Sequence, residues 1–396
     1  MYTPRSASTS DASRNKKALI SVGLKALVQE EKLAQFGSQI SLRAILKTKG
    51  IDEEAFLATL QTETLRSSSD KDADIEFVGI LPCPVKIPLM ETYDTFAQKF
   101  MKTTGLTLHS ELKPASMGTS WIAENISQRS SATELPHLFI SAGFDLFFDT
   151  NKIGRFRTEG VFSDRLKRTR KNPAFAQYDM EDPEGNYTIL SGVPAVFLVN
   201  CEELAGRDIP RSWKDILAPE FAGSISLPVG DFDLFNAILL SLTKAYGPDA
   251  IRQLGRAMQQ DMHPSEMVKS AQRKMAKPAV TIMPYFFTKT VQNLSTVTVV
   301  WPEDGAVLSP IFMLSRRDMP PEADQIVEFF GSKEVGEILA HKGLFPSLHA
   351  DVENKLPEKA PFLWVGWDFL RTKNMGEEIS RAEELFYHEY SKRSSQ

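Results

Sequence analysis

From Ile75 onward the chain alternates short apolar runs with stretches of helical period. "IEFVGIL" (75–81), "LTLHSEL" (106–112) and "LPHLFISAG" (135–143) are rich in β-branched and aromatic residues and bounded by turn formers, which predicts strands. Between them, "PLMETYDTFAQKFMKTTG" (88–105) spaces its apolar residues as one helix face and stops at Gly105. "WIAENIS" (121–127) predicts a second helix after the loop "KPASMGTS" (113–120). "YTILSGVPAVFLVN" (187–200) is a long extended segment. A second series follows. Strands are expected at "SISLPVG" (224–230) and "AVTIMP" (279–284). Helices are expected at "DLFNAILLSLTKAYG" (233–247), "DAIRQLGRAMQQ" (249–260), "SEMVKSAQRKMA" (265–276) and "YFFTKTVQN" (285–293). "VTVVWP" (297–302) and "AVLSPIFML" (306–314) return as extended chain, and the remainder from Pro321 is helical.

Strands alternating with helices imply a parallel sheet covered on both faces, an α/β fold. Two extended segments bracket the second series, so the expected architecture is two lobes with a sheet in each. Ahead of Ile75, 1–17 reads as a disordered polar tail, 18–63 as a short helical N-terminal unit, and 64–74 as a polar linker.

With 396 residues, the chain is long enough for two or three domains. Its net charge of -5 gives no general attraction to nucleic acid. The basic stretch "DRLKRTRKNP" (164–173) carries no interleaved aromatics and is read as a solvated helix. No run approaches the roughly 20 apolar residues of a membrane span. The first apolar stretch, "ALISVGLKALV" (18–28), is broken by Lys25, which is unlike an export signal and predicts a cytoplasmic protein, with periplasmic residence as the alternative. The two cysteines, Cys83 and Cys201, lie far apart, and the six histidines show no metal-ligand spacing. These spacings predict neither a disulfide nor a preformed zinc site, and they name no cofactor.

Four motifs occur in order: "GVPAVFLVNCEEL" (192–204), "PRSWKDILAPEFAGSISLPVGD" (210–231), "VVWPEDGAVLSPIFMLSRR" (299–317) and "ADQIVEFFGSKEVGEILAHKGLFPS" (323–347). Together they resemble the type 2 periplasmic-binding-protein family, especially the iron(III)/polyamine-like substrate-binding proteins of ABC transporters. The likeness runs over roughly residues 75 to 390. It implies two α/β lobes closing by a hinge over a small ligand, and a permease as the second partner. On that pattern lobe one takes 75–190 and 300–396, lobe two takes 200–290, and hinge crossovers fall at 190–200 and 296–309. Iron-binding members of that group often carry adjacent tyrosines on the segment that matches "PYFFTK". Here Tyr285 is followed by Phe286 and Phe287, so a tyrosinate-rich ferric site is incomplete.

Ligands of open α/β sheets sit at the carboxyl ends of strands. Five such loops are expected to converge: 82–86, 116–120, 141–145, 229–233 and 283–287. Ser116, Gly118, Thr119 and Ser120 offer hydroxyls and free N–H groups at a helix start, which suits an anion, although Ser and Thr there are also routine caps. Gly230 and Asp231 lie at the tip of "SISLPV". Asp231 or Asp233 could hold a cation or amine, or simply favour the positive end of the next helix. Ser141 ends the third strand, and Tyr285 could supply an aromatic wall. Cys83, between two prolines and near Lys86, could be a reactive thiol or an inert one. Two rivals to a solute binder follow. One is an enzyme on the same scaffold using Cys83, by analogy with thiaminase-like and porphobilinogen-deaminase-like proteins. The other is a cytoplasmic ligand sensor docking through its N-terminal helices.

Overall fold

The computed structural model describes residues 73–127, 129, 131–230, 232–261, 277–291 and 296–394. The chain divides into two units at Asp74/Ile75, and nearly all described residues belong to the second. The helices expected over 18–63 and 265–276, and Asp231, lie outside the described residues.

Strand β1 (Ile75–Leu81) leads into helix α1 (Lys86–Thr104), whose C-cap Gly105 takes the left-handed conformation at φ 74°. Strand β2 (Leu108–Pro114), helix α2 (Ser120–Ser127) and strand β3 (Leu138–Ala142) follow. The long strand β4 (Tyr187–Asn200) opens the second series, which holds α3 (Trp213–Ile216), β5 (Ile225–Leu227), α4 (Phe232–Tyr246), α5 (Pro248–Ala257), β6 (Met258–Asp261) and β7 (Val280–Pro284). Strands β8 (Val297–Val300) and β9 (Ala306–Ser315) return, then α6 (Asp324–Phe330), β10 (Phe362–Leu363), α7 (Trp367–Thr372) and α8 (Met375–Ser394).

The expected pair of separate sheets is corrected: hydrogen bonds join the strands in one path, β2-β1-β3-β9-β4-β7-β5-β6, with β10 on β9 and β8 on β4. The two series nevertheless use different lengths of β4. Its first part, Tyr187 to Ala195, pairs with β9, whereas Ala195 to Val199 pairs with β7. β9 in turn pairs with β3 and so carries the first series. The junction is marked by a bulge between Ile189 and Ser191 and by Pro194 and Pro310, neither of which can donate to the ladder.

In β1, the side chains alternate between two cores. Ile75, Phe77 and Leu81 pack with α1 and α6, while Val78 and Ile80 join the larger core on the other face. Gly79 lies between them because β3 passes too close for any side chain: a Cβ there would sit 2.1 Å from the Ile140 carbonyl oxygen. Gly79→Ala is therefore expected to cost about 1–3 kcal/mol, since the obstacle is main chain. Urea unfolding should show a lower midpoint at unchanged slope, and an unchanged midpoint would refute the overlap.

Several expectations differ from the structure for tertiary reasons. The stretch 164–173 is irregular rather than helical. It is tied down residue by residue: Arg165 pairs with Asp324 at 2.7 Å, Arg168 donates to the Ile189 carbonyl, and Arg170 pairs with Asp351 at 2.7 Å. Helix α5 stops at Ala257, and Met258–Asp261 instead pairs with β5 as a parallel strand. Tyr285–Thr290 forms a 3-10 turn, not a helix continuing to residue 293. Helix α8, expected with the first lobe, packs against α4 and α5. A Cβ on Gly255 would lie 2.4 Å from the Phe386 carbonyl oxygen, and Arg256 pairs with Glu389 at 2.7 Å.

Candidate functional site

The carboxyl ends of β1, β2, β3 and β7, and the loop after β5, open onto one cavity of about 600 Å³. The first series contributes Pro82 to Pro84, Ala115 to Ser120, and Ala142, Asp145 and Leu146. The second contributes Gly230, Asp233, Leu234, Pro284 and Phe287, and the crossing strands add Val193 and Ser309. Its walls are largely apolar, with the polar groups gathered on the loops.

Of the residues expected from sequence, Cys83, Ser116, Gly118, Thr119, Ser120 and Gly230 line this cavity. Three others do not. Lys86 is the first residue of α1 and lies outside the lining. Ser141 is fully buried inside β3, opposite Phe312 of β9. Tyr285 is turned away and meets Trp301 edge to face at 5.2 Å, with its phenol pKa raised by burial. The 3-10 turn that starts at Tyr285 presents Phe287 to the cavity instead. Both cysteines are free and exposed, and Cys201 lies away from the cavity.

Gly118 takes a positive φ of 66°, which lets the chain turn sharply into α2. The Thr119 carbonyl then accepts from the N–H groups of Ile122 and Ala123, both at 3.0 Å. Its hydroxyl donates to Asp145 Oδ2 at 3.1 Å. The other carboxylate oxygen of Asp145, Oδ1, is buried and has no hydrogen-bond partner among the described residues. Burial raises the Asp145 pKa, opposed by nearby Lys152 and by the Thr119 hydrogen bond and reinforced by Asp149. Lys152 reaches Asp149 at 3.4 Å. Glu383 on α8 is also raised, by burial first and then by the charge of Asp145.

The loop after β3 touches the second series directly. Gly143, at φ 84°, leaves room only for a hydrogen, because a Cβ there would meet Asp233 Oδ1 at 2.9 Å. Asp233 in turn accepts through its carbonyl from the Ser309 hydroxyl at 3.1 Å. Asp145, Lys152, Phe287 and Ser309 are lining residues that the sequence reading did not single out. For Asp145 and Phe287 the cue was present, since the loops 141–145 and 283–287 were both expected at the cleft. Lys152 offered none, because it arrives from beyond the loop.

Residues 133–373 match the family described as bacterial extracellular solute-binding proteins. The chain belongs to that family. As a member it is a ligand-binding component of an ABC transporter, with a small molecule as its ligand. The extracellular character of the family favours the periplasmic alternative and lends the cytoplasmic expectation no support. No helix among the described residues is long and apolar enough to cross a membrane. No curated protein matches the sequence.

Solved structures share the two-lobed fold. Iron-bound HitA from Pseudomonas aeruginosa is 14% identical and has a TM-score of 0.54, covering 78% of this chain and 98% of its own. Trichodesmium FutA, in complex with iron and citrate, is also 14% identical, with a TM-score of 0.56 over 80% of this chain and 98% of its own. AfuA from Actinobacillus pleuropneumoniae, with fructose-6-phosphate bound, is 15% identical, with a TM-score of 0.53 over 80% and 99%.

Proposed function

We propose that the cavity between the two series is the solute site, and that the chain closes over an organic small molecule there and delivers it to a permease from the periplasm. The observation that carries this is the convergence of strand ends from both series on one cavity, which couples occupancy to the angle between them. The contacts are assigned to Cys83, Ser116, Gly118, Thr119, Ser120 and Gly230, together with Asp145 and Phe287. The β4/β9 pair is the natural hinge, since it alone is shared by both series and is thinned by its prolines.

The donor set favours an organic ligand over the ferric ion bound by HitA. Among the described residues no tyrosine or histidine lines the cavity, and no group of three His, Cys, Asp or Glu side chains could hold a metal. A catalytic role for Cys83 is disfavoured on similar grounds, because among the described residues the lining holds no histidine to act as its base.

Native mass spectrometry on the full-length protein purified without denaturant should find a small organic mass, and small-angle scattering should show compaction when that molecule is restored to stripped protein. A bound ferric ion with no organic component would refute the reading.

A further inference from the structure

The start of α2, with its hydroxyl loop, is chemically an anion site. The protein's own carboxylate already takes one donor of that loop. Thr119 donates to Asp145 Oδ2 at 3.1 Å, while Asp145 Oδ1 is buried and unpaired among the described residues, and Asp145 itself lines the cavity. A buried acceptor of this kind is costly until something donates to it. Three further carboxylates lie close. Asp149 and Glu383 are electrostatically coupled to Asp145, and Asp233 abuts Gly143 in the same loop. Lys152 is the cation coupled to Asp145, and it also reaches Asp149 at 3.4 Å. The balance of charge at this end is negative.

Resting on the cavity being the solute site, we infer that Asp145 determines specificity. Asp145 lines the cavity, where its carboxylate receives an O–H or N–H group of an organic solute, and its charge keeps carboxylate and phosphate groups away from Ser116–Ser120. The expectation that this loop receives an anionic ligand is thereby reversed. The apolar walls, including Leu146, Leu234 and Phe287, hold the body of the solute. The remaining hydroxyls of Ser116 and Ser120 can donate or accept as the solute requires.

A matched set of probes tests this on the full-length protein after dialysis to remove bound solute: n-hexylammonium, n-hexanol and n-hexanoate, compared by ligand-detected saturation-transfer NMR, and inorganic phosphate by thermal shift. Wild type should bind hexylammonium or hexanol at least about tenfold more tightly than hexanoate, the usual scale for a hydrogen bond to a charged group. Phosphate should leave its melting temperature unchanged. A clear preference for hexylammonium over hexanol identifies an ammonium donor, and equal binding identifies a hydroxyl. Asp145→Asn should lose the discrimination against hexanoate and gain stabilisation by phosphate. Thr119→Val, which keeps the charge, should still exclude both anions.

Hexanoate binding wild type as well as the other probes, or Asp145→Asn ranking the probes as wild type does, overturns the role of Asp145 while leaving the cavity assignment standing. If Asp145→Asn fails to fold, the wild-type ranking decides alone. Failure of every hexyl probe to bind either protein, or binding that survives blocking of the cavity at Gly230, overturns the cavity assignment itself.

Discussion

Gly230→Trp should abolish solute binding while leaving the protein folded. A Cβ on Gly230 would meet no atom of the described residues beyond its chain neighbours within 4 Å, and the residue lines the cavity. Its backbone lies outside the left-handed region, so a larger side chain brings no conformational strain. Gly230 is exposed at the cavity lining, and an indole placed there is expected to extend into the space the solute would use, burying about 150–250 Å² where it does so. Loss of affinity by at least about a hundredfold, or about 2.8 kcal/mol, is expected for whatever organic molecule accompanies the wild-type protein. Native mass spectrometry should find the variant empty, and thermal melting should find it as stable as stripped wild type. Full retention of the solute by a folded Gly230→Trp protein would place binding elsewhere.

The largest effect on stability is expected from Trp213→Ala. Trp213 is fully buried and packs edge to face on Phe197 of β4 at 5.0 Å. Its indole N–H donates to the Gly305 carbonyl at 2.9 Å, and its backbone N–H reaches Asp304 Oδ2 at 2.9 Å. A capping box of Ser212 and Asp215 sets the start of this short helix. Trp213 therefore fastens the turn before β9 to the second series. Truncation removes the largest side chain of that contact and leaves the Gly305 carbonyl without its donor. A cost of about 3–5 kcal/mol is expected, read as a fall in the urea midpoint. Trp213→Phe should recover part of the packing but not the hydrogen bond. A loss under about 1 kcal/mol for the alanine variant would show that the site collapses around the gap.

Much of the framework could be read along the chain. The expected segment 187–200 coincides with β4, and the helix expected to stop at Gly105 does so with the left-handed cap that glycine allows. These features depend on the period of apolar positions and on local backbone preference, and both are complete within one stretch of sequence. The order of the four motifs likewise pointed to the family that residues 133–373 match. Membership then favoured the periplasmic alternative and lent the cytoplasmic reading of the N-terminal stretch no support.

Other features depend on partners distant in sequence. The arginines of 164–173 favour a solvated helix until Asp324, Asp351 and the Ile189 carbonyl give them fixed positions along an irregular strap. Met258–Asp261 extends a helical pattern, but β5 offers it a strand edge. Helix α8 settles on α4 and α5 because Gly255 permits the approach of Phe386. At the cleft, sequence could name the converging loops but not the direction of their side chains. Tyr285 and Phe287 are two residues apart in one turn, and the packing of Tyr285 against Trp301 leaves Phe287 to line the cavity. Asp145 appears in sequence as one more acidic residue after a strand. Its Thr119 partner, 26 positions earlier, and the burial of its second oxygen arise only when β2 and β3 both deliver their ends to the same cavity. Periodicity is local, whereas the environment of a side chain is set by whatever the folded chain brings next to it.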